Sequence, residues 1–132
     1  MKKRYLVALA VAVAAGPLYG LAPTGSARAA GGPVSFKADV QPIFQKNCVS
    51  CHTPGGEGTT ASGLDLTSYE GVMRGTKYGP MIVPGDPDYS NLMWLLDWHA
   101  SPQLRMPHNK SQLPAADRDV IRNWIRQGAK NN

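Results

Sequence analysis

The chain has only two cysteines, and they stand three residues apart with a histidine directly after the second: Cys48-Val49-Ser50-Cys51-His52. A disulfide between them would close so small a loop that it would constrain almost no chain. Yet the rest of the sequence needs a fastening. Gly and Pro supply 14 and 11 of the 132 residues, and aromatics only 8%. A single loop-rich domain of this length buries too little apolar surface to be comfortably stable unaided. With two cysteines the choice is one disulfide, a metal, or a covalently held cofactor.

Where the chain works bears on that choice. Lys2-Lys3-Arg4, the ten-residue apolar run Leu6 to Ala15, the break at Gly16-Pro17 and the small-x-small pattern Ala27-Arg28-Ala29 form a secretory signal over residues 1–29. The run is well short of the roughly 20 apolar residues that span a bilayer. The expectation is a periplasmic or otherwise exported protein with no membrane span after cleavage. Removing that segment also removes most of the net positive charge. The formal net charge of +5 includes Lys2, Lys3, Arg4 and Arg28, whereas the first acidic residue is Asp39. The body that remains is close to neutral and has no basic run, which excludes nucleic acid as a partner.

Residues 30–35 read as a flexible, Gly/Pro-rich lead-in, and a domain is expected over 36–130. Val40, Ile43 and Phe44 share one helical face, predicting a helix from about Asp39 to Asn47, with Pro42 tolerable only in a first turn. Residues 52–62 read as a Gly/Thr-rich loop. Thr67 or Ser68 can cap a short helix toward Met73, closed by Gly75. Asp88 or Ser90 can open another through about Trp98, while residues 99–112 show no period. Val120, Ile121, Trp124 and Ile125 form a strong stripe between Pro114 and Gly128. No alternating run of strand length occurs. The fold class is all-α, with about four helices joined by long loops.

In an exported chain, Cys-x-x-Cys-His reads as a site for covalent haem attachment. Two thiols on one helical turn can each form a thioether to a haem vinyl group, and His52 then stands beneath the iron as proximal ligand. Thiol redox chemistry would need a βαβ setting that is absent. Zinc would need three or four ligands, and the other histidines, His99 and His108, are far along the chain. For the opposite face Met106 is the candidate. It lies in irregular sequence before Pro107, far enough past His52 for the loop to pass over the haem edge. Met93, Met73 and Met81 sit in apolar surroundings that suit packing. The rivals are His108, less so His99, and a free sixth position.

The sequence resembles the small class I cytochromes c, in particular the planctomycete-type domain. The stretches that carry the resemblance are Asp39-Val-Gln-Pro-Ile-Phe44, Ser62-Gly-Leu-Asp-Leu66, Val83-Pro-Gly85, Arg105-Met-Pro107 and Trp124-Ile-Arg-Gln-Gly-Ala129, in addition to the haem motif. It implies an all-α fold wrapped around one covalently attached haem c, with first and last helices crossing. It also implies Cys48 and Cys51 as thioether residues, His52 as proximal iron ligand and Met106 as distal one. One feature departs from the family: no Gly-Pro segment shortly after His52 offers the carbonyl that usually receives the proximal histidine's N–H.

The expected function is a periplasmic monohaem electron carrier, not an enzyme, cycling between Fe(II) and Fe(III) with His/Met ligation. It would pass single electrons from a redox donor protein to an acceptor. Two alternatives are a fixed haem subunit of an exported dehydrogenase or oxidase, and a haem-based sensor or ligand-binding module. The apolar helix bearing Trp94 and Trp98 can serve as core or as a partner patch, and Arg105 and Lys77 are candidate partners for haem propionates.

Overall fold

The first helical stretch begins a turn earlier than the apolar spacing predicts, and Ser35 is the reason. In this computed structural model, which describes residues 32–132, the Ser35 hydroxyl accepts from the Ala38 N–H at 3.1 Å. The Ser35 N–H in turn donates to the Asp39 carboxylate at 2.8 Å, a reciprocal cap. The stretch opens as a π-helical turn, Phe36–Val40, and continues as α1, Gln41–Asn47. Pro42 accounts for the wide turn. In α register its ring would press on the carbonyl four residues back; here the neighbouring Gln41 N–H reaches five residues back, to Phe36. The predicted signal segment, residues 1–29, lies outside the described residues.

Four more α-helices follow: α2, Glu57–Ser62; α3, Tyr69–Arg74; α4, Asn91–Leu96; and α5, Ala115–Arg126, with a short 3₁₀ turn at Pro102–Leu104. Among the described residues there is no strand, only an isolated bridge between Thr76 and Gly79. The all-α class is as expected, with five α-helices rather than about four. The addition is α2, in a segment that the sequence reads as loop. It buries none of its residues, so it carries no apolar stripe to betray it. What holds it is the haem-motif backbone: the Gly58 and Thr59 N–H groups both donate to the Cys51 carbonyl, at 3.0 and 3.2 Å.

The other elements follow their caps. Ser68 caps α3 through the Gly71 N–H at 3.1 Å. Ser90 precedes α4, yet its hydroxyl does not cap the helix; it donates to the Asp86 carbonyl at 2.7 Å. That helix stops at Leu96 rather than running to Trp98. Helix α5 starts after Pro114 and stops at Gly128, whose φ of +97° lets the Ala129 N–H turn back to the Trp124 carbonyl at 2.9 Å.

Helix α5 packs on the π turn and on α4. Its Trp124, fully buried, lies 5.4 Å from the Phe36 ring, and Tyr69 meets Phe36 edge-on at 5.3 Å. This cluster buries Trp124 where α5 meets the π turn. Beyond α5 the chain folds back over the start of the domain. The Trp124 indole donates to the Lys130 carbonyl and the Tyr69 hydroxyl to that of Ala129. Asn132 accepts the Phe36 N–H on its side chain and the Lys37 N–H on its backbone oxygen, filling places that a helix start leaves without partners. Gln127 holds Gly32 and Val34.

Candidate functional site

The site grows directly out of α1. The Cys48 N–H still donates to Phe44, and the chain then tightens, with the Cys51 and His52 N–H groups both reaching the Cys48 carbonyl at 3.1 and 3.0 Å. Both thiols are therefore carried on one turn and remain unbonded to each other; Cys48 is half-buried and Cys51 exposed. Burial pushes the Cys48 thiol up to about 11 against the opposing pull of Lys110, so it stays protonated at neutral pH.

His52 is buried, and its Nδ1 lies 3.1 Å from the Leu64 carbonyl oxygen. A carbonyl only accepts, so Nδ1 carries a proton, and in the neutral ring Nε2 then keeps its lone pair. This is the tautomer that a metal-ligating histidine needs. The acceptor that the sequence could not name is thus Leu64, twelve residues downstream. Its role rests on a backbone oxygen, which leaves no signature in residue type. The Leu66 N–H bonds back to the His52 carbonyl at 2.9 Å, tying this segment across the motif. Helix α2 closes the arrangement. A Cβ added at Gly58 would come within 2.8–2.9 Å of three atoms of the imidazole, so the glycine lets the helix lie against the ring. Sequence reading missed Gly58 because the segment looked like loop.

Met106 is half-buried and packed against the hydrophobic core. Its backbone is held at both ends: its N–H donates to Leu95 at 3.3 Å and its carbonyl accepts the Trp98 indole N–H at 3.0 Å. Trp98 ends α4 with φ of +62°, a left-handed position that usually takes glycine. Arg105 lies over its ring, 5.3 Å from guanidinium carbon to centroid. His99 and His108 are exposed, and the His99 ring meets Trp94 edge-on at 4.9 Å. Of the three candidates for the distal position, Met106 is half-buried and the two histidines are exposed. Met81 and Met93 are buried in it and Met73 packs on it, as filler. Lys77, the other candidate partner for a propionate, lies over the Tyr78 ring.

Leu64, Leu66 and Leu96 are buried and Leu95 is half-buried, so apolar side chains surround the segments that carry the site. Asp97, just past α4, is gripped from α5 by Arg118 and Arg122, each at 2.6 Å. Burial alone would raise its pKa. The hydrogen bonds and charges of the two guanidiniums outweigh that and hold the carboxyl below its ordinary range. Among the described residues no group of three or more His, Cys, Asp and Glu side chains could hold a metal ion. One open cleft, about 450 Å³, is lined by Pro54, Thr59, Asp65, Arg74 and Lys77 among others, and by none of Cys48, Cys51, His52 or Met106.

These residues fit a covalently held haem: two free thiols on one turn, and a buried imidazole with Nδ1 engaged and Nε2 available. Residues 48–109 match the family model described as Planctomycete cytochrome C. The match starts at the first cysteine and ends three residues past Met106, leaving α1 and α5 outside it. It supports a haem-binding cytochrome. No curated protein and no solved structure matches the chain.

Proposed function

From the planctomycete cytochrome c character of residues 48–109, we propose that this chain is a periplasmic monohaem cytochrome c that carries single electrons between a donor and an acceptor protein. The observation that carries the reading is the His52 ring. It is buried, its Nδ1–H is committed to Leu64, and Nε2 is left to bind a metal. Cys48 and Cys51 would hold the haem by two thioethers, with His52 and Met106 as axial ligands. When bound, the haem supplies a reversible one-electron couple whose potential answers to axial ligands, hydrogen bonds and burial.

The protein's own part is to keep those ligands in place. Leu64 fixes the tautomer and orientation of His52, while Leu95 and Trp98 fix the backbone of Met106 from both sides. Retaining the same ligands in both oxidation states minimises rearrangement. No helix among the described residues is long and apolar enough to cross a membrane, which agrees with a carrier released after signal cleavage.

A haem stain that survives a denaturing gel tests covalent attachment, and a weak near-infrared band in the oxidised protein tests methionine ligation. Loss of stain from wild-type protein overturns the reading. A single observation favours the alternative of a fixed subunit in a dehydrogenase or oxidase complex: Trp94 and Leu104 are 52% and 57% exposed. Size-exclusion of native extract decides between them, since a free carrier elutes alone and a subunit with its complex.

A further inference from the structure

The Leu64 carbonyl oxygen serves two donors. His52 Nδ1 lies 3.1 Å from it, and the Thr59 hydroxyl donates to the same oxygen at 2.8 Å. A carbonyl has two lone pairs and can accept both, but its negative charge is then divided between them. The shorter bond is the one from Thr59.

We propose that Thr59 is a positioning residue that sets the reduction potential of the haem by sharing the acceptor of the proximal histidine. The inference rests on the haem reading above. A carbonyl that accepts strongly from Nδ1–H draws that proton away from the ring and makes the imidazole a richer donor at Nε2, which favours Fe(III). Thr59 blunts this. By occupying part of the oxygen's capacity it leaves the imidazole a poorer donor and holds the potential up.

The placement of Thr59 is fixed rather than incidental. It sits in the first turn of α2, and its own N–H and that of Gly58 are bonded to the Cys51 carbonyl. Gly58 beside it leaves no room for a Cβ against the imidazole ring. Two successive residues of α2 therefore act on His52, one against the face of its ring and one through its acceptor. The Leu66 N–H to the His52 carbonyl keeps the Leu64 oxygen in reach. A hydroxyl at position 59 with no electronic role would only need to satisfy itself, and half-exposed as it is, water would suffice.

The test compares Thr59→Val, which keeps the shape and removes the donor, with Thr59→Ser, which keeps the donor, both as haem-loaded protein. At a fixed applied potential Thr59→Val should show a reduced-to-oxidised ratio roughly threefold lower than wild type, the share expected of one neutral hydrogen bond, whereas Thr59→Ser should match wild type. In the reduced protein the His52 Nδ1 proton resonance should move downfield in Thr59→Val as its bond to Leu64 strengthens. Equal ratios in wild type and Thr59→Val, or a change in Thr59→Ser as large as in Thr59→Val, overturn the proposal. Should Thr59→Val fail to fold, reduced wild-type protein decides: a nuclear Overhauser contact between the Thr59 hydroxyl and His52 Nδ1 protons supports the shared acceptor, and its absence refutes it. Failure of the haem reading shows separately, as wild-type protein without retained haem stain.

Discussion

Trp98 stands where the helix end asks for glycine, and the bond made by its indole gives a reason. A side chain at φ of +62° is strained, and such strain persists where the surroundings over-determine it. Here they do: the indole N–H holds the Met106 carbonyl and Arg105 covers the ring. Trp98→Phe keeps the ring and the backbone strain but leaves that carbonyl without its donor. It should weaken the hold on Met106 by about 1–2 kcal/mol. On the proposed methionine ligation, the near-infrared band should then vanish at lower denaturant in Trp98→Phe than in wild type; coincident loss would show that the indole does not hold the loop. Gly58 makes the opposite argument. Alanine is worth about 1 kcal/mol more than glycine in a helix interior, which favours substitution. The added Cβ, however, would lie 2.8 Å from a rigid imidazole, and overpacking of that kind costs about 1–3 kcal/mol. The clash wins, so Gly58→Ala should lower the thermal midpoint of the haem protein. A raised midpoint would mean that the ring has room to move.

At the scale of elements, what was legible in the sequence is what depends on side-chain periodicity and caps. Helix α5 has a sustained apolar stripe, α3 has Ser68 and Gly75, and both sit where expected. The haem motif itself is a pattern of residue types at fixed spacing and could be read directly. Helix α2 could not be read, because it lies on the haem-motif backbone with none of its residues buried. Nor could the Leu64 acceptor, whose role belongs to a main-chain oxygen. The early start of the first helix was missed because Ser35 and Asp39 cap each other reciprocally, a signal that was available but lies ahead of the apolar spacing. The junction of α4 and α5 was equally hidden, since Asp97 finds its arginines 21 and 25 residues downstream. That junction titrates. The folded pKa of Asp97 lies below its ordinary value of 3.8, so its contribution is present above that value and is lost as pH falls through the folded one. Asp97→Asn should cost about 2 kcal/mol at pH 7. The gap between variant and wild type in chemical denaturation should narrow as pH falls below about 4; a gap unchanged by acid would show that the carboxylate charge is not what α4 and α5 share.

At the scale of the whole molecule the helices depend on one another. Helices α2, α3 and α4 are six residues each, far shorter than the length at which a helix persists alone, so their order comes from what they pack on and bond to. The aromatic cluster of Phe36, Tyr69 and Trp124, with the returning tail at Asn132, fastens the two ends of the domain. Between these ends Leu64 is buried in the core with Cys48 and Met106 packed on it, and hydrogen bonds are few: His52 to Leu64 and Leu66, and Met106 to Leu95 and Trp98. A haem fixed by two thioethers and gripped from both faces would link all of them at once. A ligand that binds only the folded state stabilises it by mass action, and one attached covalently cannot dissociate. The double variant Cys48→Ala/Cys51→Ala should therefore accumulate poorly when exported. Purified, it should lose the slow amide exchange of α1 and α5 as well as that of the haem-bearing segments, because the terminal cluster alone fastens too little chain. Native-like protection of α1 and α5 in that variant would show that the aromatic cluster folds without the haem, and that the cofactor completes a domain already formed.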